Sequence, residues 1–132
     1  MDFNKVPPND VEAEQAVIGS MLTDKEAVIA AVERLSANDF YREDNKLIYS
    51  AILNLYSKGE AIDIITLKAE LSSMGKLEAI GGLEYLAELP EKVPTTSNVE
   101  KYINIIEEKS TLRTKILKVI KKYKIKIILK YW

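Results

Sequence analysis

The chain has 132 residues, 47% of them hydrophobic, with no cysteine and no histidine. That length supports one compact core, and the missing residue types exclude Cys/His zinc sites, imidazole acid–base catalysis and Ser-His-Asp or Cys-His nucleophiles. The net charge of −1 is laid out unevenly: residues 1–114 carry all 20 acids and 12 of the 19 bases, a net of −8, whereas residues 115–132 carry seven lysines and no acid.

Pro7-Pro8 enforces an extended arm, after which Asn9-x-x-Glu12 has the pattern of a capping box. Val17, Ile18, Met21 and Leu22 follow at helical spacing and predict a first helix near 10–22. Thr23-x-x-Glu26 is a second capping-box pattern, opening a helix with the apolar stripe Val28, Ala31, Val32 and Leu35. Asn38-Asp39-Phe40-Tyr41 breaks that pattern and reads as a short turn whose aromatics plug the core. Leu47-Ile48, Ala51-Ile52 and Leu55-Tyr56 repeat at four-residue steps, predicting a third helix capped by Gly59.

Ile62 to Thr66 is rich in β-branched residues but has no partner strand, so Asp63 reads as the cap of a helix running through Leu67 and Leu71 to Gly75. Gly81-Gly82 starts a short helix with Leu83, Leu86 and Leu89, stopped by Pro90. Glu91 to Thr96 reads as a linker. Ser97-x-x-Glu100 is a third capping-box pattern, and a long helix follows. In it Tyr102, Ile105, Lys109, Leu112, Ile116, Val119 and Tyr123 recur at spacings of three and four, a heptad seam with one polar interruption. Val99, Ile103 and Ile106 form a second apolar edge. The body covers the first turns of such a helix, and the remainder needs a second helix. From Lys115 the texture changes, and residues 124–132 alternate loosely between lysine and apolar residues, as a strand, a frayed helix or a truncated or out-of-frame end would.

The expected fold is all-α: a compact multi-helix orthogonal bundle, residues 1–96, followed by a long C-terminal helix, residues 97–132, with a lysine-rich tail. The longest uninterrupted apolar run, Ala27 to Val32, is far short of a bilayer span, and the first residues lack the regions of a signal peptide. The expected location is therefore the cytoplasm. A Walker A loop is absent: the one Gly-Lys pair, Gly75-Lys76, is followed by Leu77, and position 70 is Glu. Glu107-Glu108 is an adjacent carboxylate pair, but neighbours on a helix point about 100° apart and read as a solvated face. Gly81-Gly82 lacks the strand and lysine of a phosphate-binding turn and reads as a bend.

Several fragments occur in a fixed order: Val6-Pro7-Pro8-x-x-Val11-Glu12-Ala13-Glu14-Gln15-Ala16-Val17-Ile18-Gly19, then Asp39-Phe40-Tyr41, Ile48-Tyr49-x-Ala51 and Ile62-Asp63-x-x-Thr66-Leu67. Ile80-Gly81-Gly82-x-x-Tyr85-Leu86-x-x-Leu89, Val93-Pro94-x-x-x-Asn98-Val99, Tyr102 and Glu107-Glu108-Lys109-Ser110-x-Leu112-Arg113 complete the series. Together they resemble the N-terminal domain of DnaB-type replicative DNA helicases over residues 6–113. The resemblance implies a helical body followed by one arm of a helical hairpin. In that family the hairpins pair between subunits, dimers build the N-terminal collar of a hexamer, and the collar contacts primase. The second hairpin arm and the RecA-like ATPase domain, which uses ATP and magnesium, have no counterpart in this sequence.

The functional expectation is a non-catalytic module that holds no cofactor, associates with copies of itself and docks primase or a helicase loader. It would meet DNA only indirectly and no membrane. Candidate interaction residues are Tyr85, in the segment resembling the primase-contacting region, where it reads either as a contact or as a core aromatic, and Tyr102, Ile105, Leu112 and Ile116 along the seam. Glu12, Glu14 and Gln15 read either as inter-subunit contacts or as first-turn acids favoured by the helix dipole. Two other readings are the helicase-interaction domain of a primase, and a small nucleic-acid binder using the tail lysines with Tyr123, Tyr131 and Trp132.

Overall fold

The computed structural model describes residues 6–94 and 98–123. Among them the chain is entirely helical: α1 Val11–Met21, α2 Lys25–Arg34, α3 Glu43–Ser57, α4 Ile64–Ser73, α5 Gly82–Glu88 and α6 Val99–Tyr123, with 3-10 turns at Ala37–Asp39 and Leu89–Lys92. No strand forms among the described residues, and Asp63 caps α4 as its sequence suggests. Its carboxylate accepts the Thr66 N–H at 2.8 Å, while its own N–H donates to the Thr66 hydroxyl at 3.0 Å.

The first two caps fall one residue later than the capping-box patterns place them. Asp10, not Asn9, accepts the Ala13 N–H at 2.9 Å, and the Asn9 amide turns back to donate to the Pro7 carbonyl at 2.8 Å. Likewise Asp24, not Thr23, accepts the Glu26 N–H, while the Thr23 hydroxyl donates back to the Gly19 and Ser20 carbonyls at the end of α1. In both places a carboxylate competes with a neutral neighbour, and its negative charge adds favourable interaction with the positive end of the helix. The third box rests on Ser97, which lies outside the described residues, as does the divergent stretch 124–132.

Pro90 ends α5 but does not open a linker directly. The chain tightens into the 3-10 turn Leu89–Lys92, where proline near the start lacks only a donor that would have no partner. Two consecutive positive φ angles, 96° at Gly81 and 69° at Gly82, turn the chain into α5. Side-chain-bearing residues rarely adopt that conformation.

The core gathers residues from every helix. Phe40 is buried and its ring lies 4.7 Å from that of Tyr49, so the turn after α2 does plug the core. The Tyr49 hydroxyl donates to the Ala31 and Leu35 carbonyls at 3.1 and 2.9 Å, satisfying the end of α2 from within the core. Burial pushes its pKa up, keeping it a donor. Ile103 and Ile106 belong to the same core, so the first turns of α6 are part of the body. Gly19 on α1 lies where a Cβ would sit 2.2 Å from the Leu89 carbonyl oxygen. Only glycine allows the 3-10 turn to approach α1 so closely.

Candidate protein–protein interaction surface

Tyr85, the first candidate contact, is half-buried at the meeting of three helices. Its hydroxyl donates to Asn45 Oδ1 at 2.6 Å and accepts from Gln15 Nε2 at 3.2 Å. The Arg42 guanidinium lies 5.4 Å from its ring centre, an arrangement that favours the cation through the ring quadrupole. Burial pushes the Tyr85 pKa up, so the hydroxyl stays protonated and able to donate. Asn45 is fully buried and in turn donates to Glu14 at 3.0 Å.

Glu14 is 1% exposed. Its carboxylate accepts the Tyr41 N–H at 2.7 Å and the Arg42 N–H at 3.3 Å, just ahead of α3. These donors have no intrahelical acceptor of their own, and a carboxylate is the strongest partner available to them. Glu14 therefore caps a helix, but a distant one rather than its own. No buried side-chain polar atom among the described residues is left without a partner.

The inner face of α6 is fixed to the body by polar contacts as well as by Ile103 and Ile106. Arg113 donates to the Pro8 carbonyl at 2.9 Å and to the Asp39 carbonyl at 2.6 Å, with its guanidinium 5.8 Å from the Tyr41 ring centre. One side chain thus ties the extended arm and the turn after α2 to α6. Burial lowers its pKa from the ordinary guanidinium value. Ser110 adds a bond to the Asp39 carboxylate at 2.7 Å. On a third side, Arg34 of α2 pairs with Glu100 at 2.8 Å and with Glu107 and Asn104.

The heptad seam lies about 120° around the helix from this buried face, taking 100° per residue. Tyr102 and Ile105 are half-buried and pack partly on the core. Their remaining surface lines a groove of about 420 Å³ together with Asp10, Gln15, Lys92 and Pro94. Further along, Leu112 is 40% exposed, Val119 44% and Tyr123 63%, with Ile116 half-buried between them. Leu112 borders a shallow, open depression with Glu108 and Lys115. The structure thus lines up four of the five candidate residues on α6 and places Tyr85 elsewhere, in the α1–α3–α5 network.

The anchoring roles of Glu14, Arg113 and Gly19 are not visible in local sequence pattern, although all three stand within the resembling fragments. Among the described residues no cluster of three or more acidic side chains is arranged to hold a metal ion, and no helix is long and apolar enough to cross a membrane. Tyr131 and Trp132 lie outside the described residues.

The family model for the DnaB-like helicase N-terminal domain matches residues 6–108. The replicative DNA helicase DnaB of Geobacillus stearothermophilus is 47% identical over 109 residues, which cover 83% of this chain and 24% of the relative. The replicative DNA helicase DnaC of Bacillus subtilis is 43% identical over 110 residues, again 24% of its length. Among solved structures, the N-terminal domain of DnaB helicase from Mycobacterium tuberculosis matches with a TM-score of 0.80 and 45% identity, over 84% of this chain and 79% of that one. A DnaB-like replicative helicase, described with its interactions with primase, matches with a TM-score of 0.73 and 28% identity, over 90% of this chain and 27% of that one. The chain spans about a quarter of the length of the curated relatives it matches. With the family's model matched from the prolines of the arm to the middle of α6, and with the same helical fold, this chain belongs to the DnaB-like helicase N-terminal domain family.

Proposed function

We propose that this chain is a non-catalytic assembly module of a replicative DNA helicase, working in the cytoplasm in DNA replication. It associates with further copies through the outer stripe of α6 and docks primase or a helicase loader on its body. The observation that carries the reading is the apolar stripe of Leu112, Ile116, Val119 and Tyr123 on the part of α6 nearest and beyond Arg113. An amphipathic helix is stabilised chiefly by burying its apolar face, and a contiguous exposed stripe marks an association surface. Docking of primase is supported by the likeness to the helicase described with that partner, and Tyr85 retains an exposed edge for such a contact.

Light scattering of the purified chain tests the assembly role. The expected result is a dimer or larger species that Leu112→Asp converts to monomer, with helical content unchanged by circular dichroism. A wild-type monomer at high concentration overturns the reading.

A further inference from the structure

Residues 115–132 contain only two kinds of side chain: seven lysines, and eleven apolar or aromatic residues. Eight of the eleven are aliphatic, Tyr123, Tyr131 and Trp132 are the rest, and no acid stands among them. The expectation of no membrane contact follows the family resemblance, and this stretch lies outside it, the family model ending at residue 108. We propose that this end of the chain is a peripheral anchor for an anionic lipid surface. Clusters of lysine interleaved with apolar residues hold such a surface in two ways at once. The ammonium groups meet the lipid phosphates, and the apolar side chains enter the acyl boundary.

The described part of the stretch has the layout this needs. Lys115, Lys118, Lys121 and Lys122 are all exposed. Taking 100° per residue, they occupy a face of α6 centred about 120° from the stripe of Leu112, Ile116, Val119 and Tyr123. The buried face of Ile103, Ile106, Arg113 and Ile120 takes the remaining side. The lysine face is therefore left open when the apolar stripe is covered by another copy. The acids of α6 end at Glu108, and Lys122 lies about 20 Å further along the axis. That exceeds the distance of about 8 Å over which physiological salt screens charge. Among the described residues no helix is long and apolar enough to cross a membrane, so the contact is with the surface.

The aliphatic residues select lipid over nucleic acid. A single strand gives lysine its phosphates and aromatic rings its bases, but it gains little from aliphatic side chains. Ile120 is buried and Ile116 and Leu117 are half-buried. After Tyr123, however, the sequence supplies Ile125, Ile127, Ile128 and Leu129 between three further lysines, then Tyr131 and Trp132. Tyrosine and tryptophan are the residues favoured where an apolar phase meets water.

Trp132 is the only tryptophan, so its fluorescence reports on this end alone. The full chain is mixed with vesicles of equal parts phosphatidylcholine and phosphatidylglycerol, and with pure phosphatidylcholine. The expected result is co-sedimentation with the anionic vesicles only, weakened by salt, with Trp132 emission shifted to shorter wavelength. Lys118→Gln combined with Lys122→Gln removes two charges while keeping good helix formers, and circular dichroism verifies its fold. This variant is expected to bind the anionic vesicles more than about tenfold more weakly. Equal binding by the variant, equal binding to the neutral vesicles, or no binding at low salt overturns the proposal. So does binding to an oligothymidylate without binding to vesicles, which assigns the stretch to a nucleic acid. Light scattering tests self-association separately, and its outcome leaves this proposal standing.

Discussion

The carboxylate of Glu14, in the first turn of α1, accepts the backbone N–H of Tyr41 at 2.7 Å, 27 residues further along the chain. With Asn45 as a further donor to Glu14 and Tyr85 as the donor to Asn45, this bond joins α1, α3 and α5 through a buried polar chain. Replacing Glu14 by Ala leaves two backbone donors and one amide without their acceptor inside the protein. The expected loss of stability is about 3 kcal/mol, at the upper end for hydrogen bonds to a buried charged group. Urea unfolding checks it, and a loss below about 1 kcal/mol would show that water replaces the carboxylate.

Tyr85→Phe keeps the ring beside Arg42 and removes the hydroxyl. Asn45 loses its donor, and stability should fall by about 1–2 kcal/mol. If primase docks on the exposed ring edge as proposed, its affinity for the folded variant is expected to stay unchanged. A loss of binding without a loss of stability would place the hydroxyl in the partner interface and outside the network.

Gly19 tests packing against propensity. Alanine is favoured over glycine inside a helix by about 1 kcal/mol, so the sequence alone recommends Gly19→Ala. The structure predicts the opposite: the new Cβ would lie 2.2 Å from a backbone oxygen that has no rotamer with which to move aside. A net destabilisation of about 1–3 kcal/mol is expected from overpacking, read as a lowered melting temperature. An unchanged or raised value would refute the close approach.

Arg113→Ala frees the Pro8 carbonyl and the Asp39 carbonyl together. Hydrogen exchange should rise in the residues following the arm and around the 3-10 turn Ala37–Asp39, with about 2 kcal/mol lost overall. Arg113→Lys should recover less than half, because a single ammonium does not reproduce the two-pronged geometry of the guanidinium.

How much of this was legible beforehand differs by the range of the interaction. Caps and turns at Asp63, Gly59 and Gly81-Gly82 follow from backbone chemistry within a few residues. The caps at Asn9 and Thr23 were misplaced by one position because two adequate acceptors stand side by side, and only the folded geometry decides between them. The two faces of α6 were legible as periodicity, and Ile103 and Ile106 do enter the core. The burial of Glu14 was not: an acid near a helix start looks like a solvated dipole partner until α3 is laid against it. Arg113 is similar, since its acceptors lie 105 and 74 residues away. Tyr85 showed as an aromatic in a short helix, with nothing local to announce the helices that its hydroxyl links.

Acid titration separates one surface contact from the rest. The Lys58 ammonium donates to Glu70 at 2.9 Å, and this bond holds the Glu70 carboxyl below its usual range. A depressed folded-state pKa means that the contribution of this pair is present above the ordinary carboxylate pKa and is lost as pH falls through the lowered value. Carboxyl carbon shifts followed by NMR should show a low Glu70 midpoint that Lys58→Met moves back up. An unmoved midpoint would mean that the Asn54 amide, at 3.3 Å, sets it instead.

α6 is unbroken from Val99 to Tyr123, and its last side-chain bond to the body among the described residues comes from Arg113. The ten residues beyond extend about 15 Å at 1.5 Å per residue. It contains no glycine or proline to act as a joint, and Ile120 near its end is itself buried, so the helix answers a tilt of the body as one stiff rod along its whole length. Arg34 and Arg113, which bind its earlier turns to α2, Pro8 and Asp39, therefore set the direction in which the whole rod leaves the body.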